Sequence, residues 1–479
     1  MNTPEWPAKE YPLLIGGESV TTPKKLNVAS PFDGSPVGRV SLAGDGHIQK
    51  AVQKAAEGFG KTRNLSSNKK HQILMKLRNL IETNSEDLAV TICREAGKPI
   101  TQARVEVARC VFTFETAAEE SRRIAGELLP VDTVPWAEGK SAVVARFPRG
   151  IVVGITPFNF PLNLVAHKLA PAMAAGCPFI LKPSSKAPIT AWKLMRLALE
   201  AGYPGEALSF LPMVSSRAEK LYTHPDVAFV SFTGSAATGW EVKEKAYDKF
   251  VTLELGGNAA VIVHEDANVD AAATKCASGG FAFAGQSCIS VQRILIHERI
   301  YAPFKNKLLA AVGGIKAGDP LLDDTFVGPM IDTPAVERIE TWIDEALAMG
   351  CKLLTPRRRE DRVLHPIVLD DAAPGMKVWD EEVFAPLVTL TQFSDFDEAV
   401  RLVNTSRYGL QAGLFTNRAD LIQKAFREIE VGGLIVNDAS SFRVDHQPYG
   451  GVKQSGTGRE GLRWAINEMT EEKILIYEA

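Results

Sequence analysis

A cysteine among small residues and a glutamate between leucines are the side chains of this sequence best suited to chemistry. Cys288 closes Gly285-Gln286-Ser287-Cys288, directly after an Ala/Gly-rich helix predicted to begin near Val269. There the backbone can bend and a substrate can approach. The thiolate is the nucleophilic form, and a free cysteine is only a few per cent ionised near neutrality. The site must therefore lower the thiol pKa or let a neighbour take the proton. Glu254, in Leu253-Glu254-Leu255-Gly256-Gly257-Asn258, is a candidate for that neighbour. A carboxylate set between apolar residues at the end of a strand-like run has the environment of a general base working near pH 7. In isolation, such a cysteine also fits a small buried hydrophobe, so the elements around it carry the next step.

Between Ala142 and Leu255 strand and helix alternate, the pattern of a parallel sheet built from βαβ units. Strands are predicted at 150–155, 179–182, 208–211 and 227–232, with helices at 162–175 and 190–201 and a short one near Ala218. Ligands bind such sheets at the carboxyl ends of the strands. Here those ends are Thr156-Pro157-Phe158-Asn159, Lys182-Pro183-Ser184-Ser185 and Thr233-Gly234-Ser235, all polar or small, although a G-x-G-x-x-G fingerprint is absent. A second alternating region runs from 258 to about 433, with strands at 291–296, 363–369, 387–390 and 433–436 and helices at 300–309, 334–349, 396–403 and 419–426. Ahead of both lie hairpins over 11–40 and helices at 47–59, 67–96 and 100–126. The strand at 473–477 is an apolar edge that a second subunit would cover.

The bulk properties exclude several classes. A chain of 479 residues is long enough for two or three domains. A net charge of -3, with 23% charged residues, gives no footprint for nucleic acid. The six cysteines show no close pairs and the eight histidines no HxxxH, so neither a disulfide framework nor a metal site is expected. The segment 1–10 lacks the basic start and apolar core of a secretory signal, and no apolar stretch reaches the length of a membrane span. The expectation is a cytoplasmic enzyme with no nucleic-acid or membrane partner.

Seven segments, in order, resemble the aldehyde dehydrogenase superfamily over nearly the whole chain. They are Pro157-Phe158-Asn159-Phe160-Pro161, Phe232-Thr233-Gly234-Ser235 with Gly239, Glu254-Leu255-Gly256-Gly257-Asn258 and Gly285-Gln286-Ser287-Cys288. They continue with Glu381-Glu382-Val383-Phe384-Ala385-Pro386, Asn404 with Tyr408-Gly409-Leu410, and Pro448-Tyr449-Gly450-Gly451-Val452-Lys453-Gln454-Ser455-Gly456. The resemblance implies two Rossmann-like parallel α/β domains, cofactor-binding and catalytic, plus a small β oligomerisation arm. Residues 1–120 and 142–253 would form the dinucleotide-binding domain, 254–440 the catalytic domain, and 121–141 with 465–479 the bridging segments of a homodimer or homotetramer. It also implies that the Cys288 thiolate attacks an aldehyde, that hydride passes to a nicotinamide, and that water activated by Glu254 hydrolyses the thioester. The Asn159 amide and the Cys288 backbone N–H would hold the oxyanion.

For the cofactor, NAD or NADP, the resemblance implies contacts from Thr156, Pro157, Phe158, Lys182, Gly234, Ser235, Gly256, Glu382 and Phe384, with a helix N-terminus meeting the pyrophosphate. NAD-specific relatives carry an acid where this chain has Ser185, beside Lys186, which leaves room for a 2′-phosphate and favours use of both cofactors. Pocket positions would be Phe160, His167, Ser287, Ile289, Arg443 and Tyr449, with the helix bearing Arg104 and Arg109 as another wall. Arg443 and His167 stand where relatives acting on plain aldehydes tend to carry aromatics, which favours a small polar or anionic aldehyde, lactaldehyde- or semialdehyde-like. Two alternatives are a CoA-acylating dehydrogenase, whose relatives lack the base at Glu254, and a non-catalytic protein that kept the fold.

Overall fold

Apolar runs such as Ile151–Ile155, buried at every residue, need cover on both faces, which a helix-flanked parallel sheet supplies. In the computed structural model, which describes residues 9–478, five parallel strands form the centre of an eight-stranded sheet. Across the sheet they run Phe250–Glu254, Val227–Thr233, Ile151–Ile155, Phe179–Lys182 and Leu208–Phe210. The hairpin of Leu13–Ile15 and Glu18–Val20 extends one edge antiparallel, and Gly456–Thr457 extends the other beside Glu254. Residues from far down the chain thus return to the first sheet at the glutamate.

The second sheet has seven strands. Its parallel core runs Ile367–Asp370, Leu387–Phe393, Val291–His297, Ala259–Val263, Gln411–Phe415 and Gly433–Val436, and Lys352–Leu353 adds antiparallel at one edge. A third, three-stranded sheet is the arm: Thr470–Glu478 pairs along Lys140–Pro148, which pairs with Glu127–Leu129. The arm therefore takes in residues 142–148, which the sequence reading placed in the dinucleotide-binding domain. Among the described residues no helix is long and apolar enough to cross a membrane. Residues 1–8, most of the segment read against a secretory signal, and residue 479 lie outside the described residues.

Two helix boundaries differ from the periodic reading. The helix expected over 67–96 is two, Ser67–Thr83 and Ser85–Ala96. Between them Asn84 turns its side chain back to donate to the Leu80 carbonyl (2.8 Å), a local bond that competes with helix continuation. The helix expected over 100–126 is Ile100–Glu120, after which the Ser121 hydroxyl bonds the Ala118 carbonyl (2.7 Å). In the second half, the strand expected over 363–369 is split into Val363–Leu364 and Ile367–Asp370.

Candidate active site

Helix Val269–Phe281, capped by the Asn268 side chain, ends in a turn unlike a helix. Phe283 (φ 50°), Ala284 (φ 53°) and Gly285 (φ 67°) are consecutively left-handed, which costs the two non-glycine residues about 1–2 kcal/mol each. The surroundings hold the turn through buried Gln286. Its side chain accepts from the Ile331 N–H (2.9 Å) and donates to the Pro329 carbonyl (3.3 Å), and its own carbonyl accepts from Asn159 Nδ2 (3.0 Å). Two residues on, the Cys288 sulfur lies 3.1 Å from the Tyr449 hydroxyl. Burial pushes the thiol up to about 12, against a downward pull from the Tyr449 bond. Burial raises the tyrosine well above its ordinary value, so its O–H can donate once the thiolate forms. Burial works against the nucleophile, and the Tyr449 contact is the neighbour that works for its thiolate.

Glu254 ends its strand with Thr233 on one side and Gly456 on the other. Both carboxyl oxygens are buried without a partner among the described residues, and burial, then the charge of Glu460, raise it well above the usual carboxylate range. Glu460 itself accepts from Lys168 Nζ (2.8 Å) and Arg443 (3.2 Å); these cations outweigh burial and hold it at about 2. The Arg443 guanidinium carbon stands over the Tyr449 ring, 3.6 Å from its centroid, and its Nε is buried without a partner among the described residues. Behind it, Asp445 takes a two-pronged bond from Arg109 (2.7 and 3.0 Å) and single bonds from Asn163 (3.0 Å) and His167 (2.8 Å). Burial alone would raise Asp445, but these donors hold it well below the carboxylate range. Burial and the charge of Arg443 push His167 below its ordinary value, against an upward pull from Asp445 and Glu460.

These groups surround a cavity of about 330 Å³, with Pro157, Phe158, Asn159, Phe160, Ser287, Cys288, Ile289 and Tyr449 on its walls. Gly234, Ser235, Gly256, Glu382 and Phe384 line it as well. Glu382 accepts from the Gly257 N–H (3.0 Å) and is pushed up to about 7 by burial; a Cβ on Gly256 would stand 2.4 Å from its other oxygen. Phe384 is left-handed (φ 49°) and meets Phe158 edge-on at 6.1 Å. Ser235 precedes helix Ala236–Lys245 without a side-chain cap, so its first N–H groups are open to an anion. Lys182 is buried, its ammonium depressed by burial, with no hydrogen-bond partner among the described residues. A lysine ammonium without a partner among the described residues, an uncapped helix start and a half-buried carboxylate with a spare oxygen suit the hydroxyls and phosphates of a dinucleotide.

Some expected positions are elsewhere. His167 does not line the cavity: it stands one layer behind, bonded to Asp445 and 3.3 Å from Arg443. Arg104 faces outward to Glu86 and Asp323, because it lies on the exposed side of the helix whose other side presents Arg109. Thr156, Lys182 and Ser185 lie outside this cavity, toward the end of strand Phe179–Lys182, and Ser185 is exposed. The sequence reading missed Glu460, Asp445, Arg338 and Lys168. For Lys168 a signal existed: beside His167 it is the one charged residue of the wholly buried helix Asn163–Ala175, and a buried charge requires a partner.

The family model described as "Aldehyde dehydrogenase family" matches residues 19–475. A 3-sulfolactaldehyde dehydrogenase from Priestia aryabhattai is 44% identical over 469 residues, covering 98% of each chain. The crystal structure of aldehyde dehydrogenase 21 from Physcomitrella patens, in complex with the reaction product succinate, superposes with a TM-score of 0.96 at 40% identity. It covers 100% of this chain and 99% of that one. An NADP-dependent glyceraldehyde-3-phosphate dehydrogenase from Bacillus halodurans, complexed with NADP, gives a TM-score of 0.96 at 31% identity over 98% of this chain and 99% of its own. With a partly buried cysteine and a buried glutamate on one cavity, this chain belongs to the aldehyde dehydrogenase family.

Proposed function

We propose that this chain oxidises a small anionic aldehyde to the carboxylic acid, using NAD or NADP. The Cys288 sulfur bonds the aldehyde carbon as its proton passes to solvent water, while the Tyr449 O–H, 3.1 Å away, stabilises the developing thiolate. Asn159 Nδ2, with one N–H committed to Gln286, directs its second with the Cys288 backbone N–H at the oxyanion. When bound, a nicotinamide dinucleotide supplies the acceptor for the hydride that leaves the adduct carbon and turns the thiohemiacetal into a thioester. Glu254 then takes a proton from water, the water oxygen adds to the thioester carbon, and the S–C bond breaks as that proton is returned to the sulfur, releasing the acid and the thiol. A buried base without a partner is suited to this step, which supports hydrolysis over transfer to CoA.

The observation that carries the anionic substrate is the charge balance at the wall. Three cations, Arg109, Lys168 and Arg443, stand against two firmly ionised carboxylates, Asp445 and Glu460, and Arg109 and Arg443 reach the cavity. A surplus buried cation favours a substrate that brings a negative group. A sulfonate or carboxylate on the aldehyde supplies one, and the sulfolactaldehyde relative and the succinate-bound structure support that class. The test compares kcat/KM for a three-carbon aldehyde bearing a sulfonate or carboxylate with that for its neutral analogue. The anionic one should win by about tenfold or more, the worth of a charge-assisted bond, and Arg443→Gln should erase the margin. Preference for the neutral aldehyde would sink the reading. The arm supports a homodimer or homotetramer: its open edge strand exposes Ile474, Leu475, Ile476 and Tyr477, an apolar edge that a second copy would cover.

A further inference from the structure

The residue after Ser185 is not free to meet a cofactor phosphate. Lys186 Nζ lies 2.8 Å from Asp332 Oδ2, and the pair is half-open to solvent, with the two side chains 49% and 29% exposed. Asp332 comes from the other sheet's side of the molecule. It caps helix Thr333–Ala348 by accepting the Ala335 N–H on Oδ1 (3.0 Å). That helix carries Arg338 into the central cavity, and Ile331, one residue before Asp332, is bonded to Gln286 beside the nucleophile. The pair therefore ties the segment after strand Phe179–Lys182 to the start of the helix that carries Arg338.

We propose that Asp332 sets cofactor preference, by holding Lys186 and placing a carboxylate where a 2′-phosphate would have to come. This rests on the reading that the dinucleotide's adenosine ribose lies at Lys182 and Ser185. The acid absent from position 185 is replaced by one from a distant segment, which acts in two ways. It neutralises the lysine that a 2′-phosphate needs, and it repels the phosphate itself. NAD, with a neutral 2′-hydroxyl, feels neither effect. Use of NADP then requires Lys186 to exchange Asp332 for the phosphate.

Asp332→Asn is a clean perturbation because asparagine keeps the helix cap and removes only the charge. Dissociation constants of NAD and NADP are measured by calorimetry on the full-length protein without aldehyde, for wild type, Asp332→Asn, Lys186→Met and the double variant. A like-charge contact in a mostly aqueous setting is worth about fivefold, so NADP should bind about fivefold tighter or better to Asp332→Asn, with NAD within about twofold. Lys186→Met should weaken NADP in the Asp332→Asn background and cancel most of the gain. A protein that binds both cofactors and shows no change in NADP affinity on Asp332→Asn overturns the proposal and leaves dual use intact. One that binds NAD alone until Asp332→Asn admits NADP overturns dual use and supports the proposal. NADP binding absent from both overturns the two together.

Discussion

Tyr449→Phe isolates one hydrogen bond at the nucleophile, since it deletes a single oxygen and leaves the ring under Arg443 in place. The wild-type hydroxyl lies 3.1 Å from the Cys288 sulfur, where it can donate to the thiolate, and that bond pulls down a thiol that burial pushes up to about 12. A hydrogen bond to a charged group is worth about 1.5–3 kcal/mol, so its loss should raise the thiol pKa by about one to two units. At any pH below the pKa the thiolate fraction falls in proportion. Part of that is returned, because a more basic thiolate is more nucleophilic with a Brønsted slope of about 0.4–0.5. The net decline in alkylation rate should be about four- to fifteenfold. The assay is the pseudo-first-order rate of Cys288 alkylation by iodoacetamide between pH 6 and 10, followed by mass spectrometry of the intact protein, with Cys288→Ser as blank. The rate should rise with pH in both proteins and lie lower in the variant throughout. Rates within twofold of each other would show that the tyrosine does not stabilise the thiolate.

For Glu254→Gln, a first burst of reduced cofactor should survive while steady turnover falls by about a hundred- to ten-thousandfold; equal loss of both would place the glutamate earlier in the reaction. Because burial and Glu460 raise Glu254, and the base works only when deprotonated, wild-type turnover should fall as pH drops through that raised pKa. The variant should lack this limb. Ser185→Glu, at an exposed position, should shift the ratio of kcat/KM for NAD over NADP toward NAD by about fivefold, and an unchanged ratio would mean that Ser185 faces away from the ribose. Leu475→Asp, on a side chain 63% exposed, should reduce the mass measured by light scattering; an unchanged mass would put the interface elsewhere.

The local patterns of this sequence were sufficient for the strands Phe179–Lys182 and Gly433–Val436, which the structure places at the expected residues, because hydrophobic periodicity is a property of near neighbours. They also pointed to Cys288, Glu254 and Asn159, which the fold brings to one cavity. Other features came only with the tertiary structure. The direction of the Cys288 shift depends on how much of the cavity wall excludes water. Arg443 meets Glu460, His167 and Tyr449, and Lys186 meets Asp332, across separations that no periodic pattern encodes. His167 was read as a pocket residue and stands behind the wall, since a helical position gives a face but not the depth of what packs on it. Burial and charge pairing sum over all neighbours, most of them distant in the chain, and only the packed structure brings those neighbours together.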